Sequence, residues 1–198
     1  MKQLYFATRN KGKVNSVRNI LSRYLINVIQ IPLDLPEPRT NNLKRIAQEK
    51  VLFAHEQIKG PCIALDSGFY IHSLKGFPRT FVNFTLETIG IEGILRVVKD
   101  KPRKCEFRHC LAYFDKSLMK PKCFESSVEG RLSSIPRGEI KENSWSELFL
   151  IFKPKSGKKT LAEMSPHEYN EWRNETYNHS YATKLGEWLS KNYSNTLS

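Results

Sequence analysis

Long apolar runs are missing from this 198-residue chain. None approaches the roughly 18 residues that a membrane-crossing helix needs, so no membrane association is expected. The apolar opening Leu4-Tyr5-Phe6-Ala7 is cut off by polar Thr8-Arg9-Asn10-Lys11, far short of a signal-peptide core, and a cytoplasmic location is expected. Cysteine is scarce. The four residues at 62, 105, 110 and 123 form no CxxC pair, which excludes a disulfide scaffold and a zinc motif and leaves small buried residues or inert thiols. Acid is also in short supply: 20 Asp and Glu face 32 Lys and Arg, giving a net charge of +12. Such a surface favours nucleic acid, acidic membrane or phosphorylated metabolites. The basic residues form no long block, which excludes a disordered basic tail and leaves a dispersed positive surface or a lined cleft. Internal repeats and low-complexity linkers are absent too.

What is present is ordinary globular composition, with 39% hydrophobic and 11% aromatic residues. One domain spanning 1–198 is the expectation, long enough to bury about 70% of the surface of its unfolded form. Leu4–Ala7 predicts a first strand, and Thr8 to Lys13 a polar turn into a helix with apolar spacing Val14, Val17, Ile20, Leu21, Tyr24, Leu25. A strand, a polar loop and a helix start make an anion site by geometry, with Lys13 at hand. Val28–Ile31 predicts a second strand, followed by the proline-stiffened loop Pro32-Leu33-Asp34-Leu35-Pro36-Glu37-Pro38. A helix is predicted over 42–58, and a short buried strand Cys62–Leu65 running into a turn Asp66-Ser67-Gly68. Helices are predicted up to Thr88 and around Ile91–Val98. Strands are predicted over 105–114, 122–131 and 147–153, and a terminal helix over 178–191. The pattern is α/β with a mixed sheet.

Several of these segments carry recognisable motifs. Thr8, Asn10 and Lys13 match T-x-N-x-x-K; Asp34-Leu35-Pro36-Glu37 matches an acidic loop; Lys50 and Ala54 match K-x-x-x-A; Asp66-Ser67-Gly68 matches a DSG segment. Gly76-Phe77-Pro78, Glu129-Gly130 with Pro136-Arg137-Gly138, Thr160-Leu161-Ala162-Glu163-Met164 and His179 follow in order. Together they resemble the inosine triphosphate pyrophosphatase, or Ham1-like, family over nearly the whole chain. The resemblance implies an elongated α/β fold with a long, twisted mixed sheet and flanking helices, two lobes and a central cleft. It also implies a homodimer, magnesium, and hydrolysis of deaminated purine nucleoside triphosphates such as those of inosine and xanthosine to the monophosphate and pyrophosphate.

That chemistry needs carboxylates to hold Mg²⁺ and cations to neutralise phosphate as water attacks the α-phosphorus. On the resemblance, Glu37 and Asp66 would hold the metal, and Asp66 would also orient or deprotonate the water. Lys13 and Lys50 would grip the triphosphate, with Thr8, Asn10, Ser67 and Gly68 lining it and Trp145 and His179 reaching the base end. Plain alternatives stand beside each: a solvated loop acid for Glu37, a turn or cap residue for Asp66, solvated helix lysines for Lys13 and Lys50, a packing aromatic for Trp145, and a cap or packing residue at a helix start for His179.

Five positions depart from the family pattern. Leu65 stands where an acid usually precedes the DSG segment, and Arg79 where a glycine is usual, although an arginine does not freely take positive φ. Ser146 replaces an aspartate in Asn143-Ser144-Trp145-Ser146-Glu147, while Asn174 and Ser180 replace a lysine and an arginine. Acid and base are lost together, which fits a pocket with shifted base choice. The competing expectation is a member that has lost catalysis and binds a nucleotide or a protein. A nucleic-acid-binding module is a third reading that no nucleic-acid motif supports.

Overall fold

The computed structural model describes residues 2–141 and 144–193. Among them the fold is α/β, with a seven-stranded mixed sheet and six helices. The strands are β1 (Lys2–Ala7), β2 (Ile26–Ile31), β3 (Cys62–Ile71), β4 (Pro78–Arg79), β5 (Lys104–Phe114), β6 (Lys122–Leu132) and β7 (Phe152–Pro154). The helices are α1 (Lys11–Leu21), α2 (Leu43–Ile58), α3 (Val82–Thr88), α4 (Gly90–Val97), α5 (Pro166–Tyr177) and α6 (Tyr181–Tyr193). Sheet order is β2-β1-β3-β5-β6-β7, with β4 beside β3. β1 runs parallel to β2 and β3, whereas the β3–β4 and β6–β7 pairs are antiparallel.

The chain divides into two compact units, the first comprising 1–66, 109–126 and 177–198 and the second 67–108 and 127–176. Each has its own core. In the first unit α1 and α6 lay Val14, Val17, Ile20, Leu21, Tyr181 and Leu185 on Leu4, Phe6, Val28, Ile63, Leu65 and Leu111. A second cluster is built of small residues: Ala47, Val51 and Ala54 of α2 meet Ala7, Cys62, Ala64, Cys110 and Ala112. Small side chains at such a contact let a helix lie close to a sheet. Gly186 in α6 serves a similar end, because a Cβ there would stand 2.4 Å from the ring of Tyr24. The second unit's core is aromatic, with Phe69, Phe107, Phe149, Phe152 and Tyr169 among Ile71, Ile94, Leu148 and Ile151.

Several predicted elements are corrected. β3 does not stop at Leu65 but continues through Asp66-Ser67-Gly68 to Ile71, so the expected turn is strand. The spacing that extended the first helix to Leu25 overshoots: α1 ends at Leu21, a 3₁₀ turn covers Ser22–Tyr24, and Leu25 is left-handed (φ 56°) and exposed. The strand predicted over 147–153 is a 3₁₀ turn, Glu147–Leu150, followed by the short β7. The terminal helix starts at Tyr181, which leaves His179 in the preceding turn rather than at a helix start. α5 has no counterpart among the predicted elements. No helix among the described residues is long and apolar enough to cross a membrane.

Candidate active site

The first unit assembles the phosphate-type chemistry. After β1 the Thr8–Asn10 loop is tied to β2 by Thr8 N donating to Ile31 O (3.1 Å) and Gln30 Nε2 donating to Thr8 O (2.9 Å). Thr8 Oγ1 accepts from Asn10 N at 3.2 Å, and Asn10 Oδ1 accepts from Lys13 N at 3.0 Å, which makes Asn10 the N-cap of α1. Both side chains therefore shape the loop. The positive end of α1 lies there, with Lys13 in its first turn.

α2 supplies the next component. The small-residue contact seats it so that Lys50 Nζ reaches Asp66 Oδ1 of β3 at 2.7 Å and Glu37 Oε1 of the proline-stiffened loop at 3.4 Å. Lys50 and Asp66 are buried, at 7% and 9% exposure, while the Glu37 side chain is 73% exposed. Burial by itself would lower the Lys50 pKa, but the charge and hydrogen bond of Asp66, with Glu37 adding to them, reverse this and raise it. Lys13 goes the other way. Burial lowers its pKa; the charges of Asp66 and Glu37 oppose the shift and that of Lys50 adds to it. Four sequence-predicted residues, Lys13, Glu37, Lys50 and Asp66, thus share one electrostatic neighbourhood.

The donor set suits a hard divalent cation. Glu37 and Asp66 both aim an oxygen at a single cationic centre. No cluster of three or more His, Cys, Asp or Glu occurs among the described residues. Two carboxylates match the way Mg²⁺ is usually bound, with substrate phosphates and waters completing the shell. Glu37 and Asp66 fit that role.

Leu65, the departure next to Asp66, points into the apolar core beside Leu111 and Tyr113, since neighbouring strand residues face opposite ways. Ser180 is buried, and its Oγ accepts from Thr183 N at 3.2 Å, capping α6. His179 is exposed. One residue that sequence analysis passed over lies here: His109 of β5 is buried, its ring 5.3 Å from that of Tyr181. Burial, helped by the charge of Lys13, pushes its pKa down to about 3.

In the second unit Ser67 and Gly68 continue β3. A Cβ at Gly68 would lie 2.7 Å from Arg79 O and 2.8 Å from the Tyr70 ring, so only glycine lets the Gly76–Arg79 segment fold back here. That segment holds Gly76 at φ +90°, a cis Phe77–Pro78 bond and Arg79 at φ 59°. Arg79 does take the left-handed conformation, at a cost of about 1 kcal/mol, and its Nη2 donates to Lys75 O at 3.0 Å. Trp145 meets Phe107 and Phe149 edge-on at 4.9 and 5.3 Å. Ser146 caps the 3₁₀ turn through Leu148 N (3.3 Å). Asn174 lies exposed on α5, and Asn143 falls outside the described residues.

Residues 4–176 match the Ham1 family. Over 191 residues the chain is 31% identical to a dITP/XTP pyrophosphatase from Methanopyrus kandleri, covering 96% of this chain and 97% of that protein. It is 29% identical over 196 residues to an inosine triphosphate pyrophosphatase from Ajellomyces capsulatus, covering 98% and 100%. The solved Ham1 protein of Staphylococcus aureus has the same fold, with a TM-score of 0.74 at 23% identity over 96% of this chain and 99% of that one.

Proposed function

The chain belongs to the Ham1 family, and on that footing we propose that it is a nucleoside triphosphate pyrophosphatase acting on non-canonical purine nucleotides such as those of inosine and xanthosine. The observation that carries this is Lys50, held between Asp66 at 2.7 Å and Glu37 at 3.4 Å beside Lys13. Water attacks the α-phosphorus, the bond from it to the bridging oxygen breaks, and pyrophosphate leaves. Asp66 orients the water and takes its proton. Lys13 and Lys50 offset charge on the triphosphate, and the positive end of α1 adds to them. Glu37 and Asp66 would hold Mg²⁺, which when bound supplies further neutralisation of the phosphates.

Ser67 and Gly68 would offer backbone to the substrate, while Trp145 would wall the base and His179 meet it from its turn. The whole chain acts as one domain in the cytoplasm, where free nucleotides are found. A homodimer would cover Phe77, Phe81, Phe84 and Ile89, which are exposed on the second unit.

The test is pyrophosphate release with Mg²⁺ across inosine, xanthosine, guanosine, adenosine and pyrimidine triphosphates. Release from inosine or xanthosine triphosphate is expected, falling by two to four orders of magnitude in Asp66→Asn. A folded protein silent across the panel overturns the proposal. Leu65, buried in the core where the family has an acid, favours binding without turnover as a second reading. Thermal stabilisation by nucleotide without any pyrophosphate release would mark that outcome.

A further inference from the structure

The described residues of the first unit frame a cavity of about 540 Å³ that the reaction just described does not use. It lies where β1 and β2 begin and α2 ends, whereas the Thr8–Asn10 loop follows the other end of β1. At the usual strand rise Leu4 is about 13 Å from Thr8. Along α2 the step from Lys50 to Lys59 is of the same order, at about 1.5 Å per residue. The walls of the cavity are apolar: Leu4 and Ile26 from the starts of β1 and β2, Pro61 ahead of β3, Tyr113 near the end of β5, and Leu189 of α6. All five belong to the first unit. A space of this size takes a drug-sized molecule.

Two lysines stand at its mouth. Lys59 ends α2 as a left-handed C-cap (φ 58°), held by its N–H donating to His55 O at 2.9 Å. Lys116 lies in the turn after β5, and Asp115 fixes that turn. Asp115 Oδ1 accepts from Ser117 N at 2.8 Å and from Ser117 Oγ at 2.6 Å, and its Oδ2 accepts from the Tyr113 hydroxyl at 2.5 Å. Both lysines are exposed, and among the described residues neither is paired with a carboxylate. Asp115 is the only acid among the lining residues. It is buried and already met by three donors, so its field is damped and two ammonium groups outweigh it. His55 is engaged as well, with Nδ1 3.0 Å from Gly60 O. An apolar interior under an unpaired cationic rim suits a molecule that is apolar along its body and negative at one end.

We infer that this cavity is a binding site for a small amphipathic anion, an apolar body ending in a single carboxylate or sulfonate. The body fills the space between Tyr113 and Leu189, and the head meets Lys59 and Lys116. The site asks nothing of the reaction proposed above, so its test needs no turnover.

The probe is anilinonaphthalene sulfonate, an apolar anion that fluoresces on leaving water, with phenylnaphthylamine as its uncharged counterpart. Wild type is compared with Gln3→Trp, which fills the cavity from the start of β1, and with a double variant, Lys59→Gln and Lys116→Gln, which discharges the mouth. Circular dichroism and urea unfolding establish that each is folded. Saturable sulfonate binding is expected in wild type and is lost in Gln3→Trp. The double variant weakens it about tenfold, or about 1.4 kcal/mol, and leaves phenylnaphthylamine binding unchanged. Decanoate displaces the sulfonate from wild type at lower concentration than decanol does, and inosine triphosphate does not displace it. Sulfonate binding that is unchanged in both folded variants puts the probe elsewhere, such as on the exposed Phe77, Phe81 and Phe84 of the second unit, and overturns the inference. So does an absence of saturable binding in wild type, displacement by inosine triphosphate, or an equal weakening of the charged and uncharged probes in the double variant.

Discussion

The two units carry charge in different ways. In the first, ammonium and carboxylate are drawn into the interior: Lys50 and Asp66 are buried against each other, and His109 is buried as a neutral ring. In the second, the core is aromatic, buried Glu106 pairs with a half-exposed Arg108, and further ion pairs such as Lys155–Glu129 and Lys159–Glu168 lie on the surface. Buried charge is costly unless paired, whereas exposed pairs contribute little. A chain keeps the first kind where its chemistry requires it. The contrast also orders the departures from the family pattern: Leu65 adds to the core, while Ser146 and Ser180 have become caps.

The strongest way to break the comparison is to strand one partner of the buried pair. Lys50→Met leaves Asp66 with its main counter-charge gone and is expected to cost roughly 3 kcal/mol in urea unfolding. Lys155→Met, at the surface pair, is expected to change nothing measurable. Equal losses in both would show that burial does not separate the units.

A smaller effect comes from acid. His109 has its pKa held near 3, against about 6.5 in the unfolded chain, so between those values only the unfolded state binds the proton. Stability from this group is complete above pH 6.5 and is lost as pH falls. Going from pH 7 to pH 5 should cost about 2 kcal/mol, and His109→Asn should flatten that slope. An unchanged slope in the variant would place the titration elsewhere.

The smallest effect concerns the strained loop of the second unit. Arg79→Gly relieves the left-handed arginine and is expected to stabilise by up to about 1 kcal/mol, less the added freedom of the unfolded chain. A loss would mean that the Lys75 contact outweighs the strain.

Much of this was legible in the order of residues. α1 and α2 announced themselves by periodicity, while the caps Asn10 and Asn42 emerged only with the structure. Lys13, Glu37, Lys50 and Asp66 were found through the family motifs, since each alone looks like a solvated side chain. β3 was cut short because Asp-Ser-Gly is turn composition, and only the long-range approach of Arg79 to Gly68 makes it strand. α5 was missed because it is largely polar. Its start nevertheless carried a signal, the reciprocal capping box in which Ser165 N donates to Glu168 Oε2 and Glu168 N to Ser165 Oγ, at 2.8 and 3.2 Å. His109 depends on what neighbouring strands place beside it, and no local pattern encodes that.

α6 has a consequence for how the chain is made. The first unit takes Tyr181, Ala182, Leu185 and Leu189 into the same core as α1, β1 and β2. Those partners leave the ribosome far apart in time, because all the other helices and strands lie between them and α6. At roughly 5 to 20 residues per second, the β1–α1 segment waits until Tyr181–Tyr193 has been made before α6 covers its apolar face. α6 completes the interior that β1 begins, so this unit closes its core only after every segment between them has emerged.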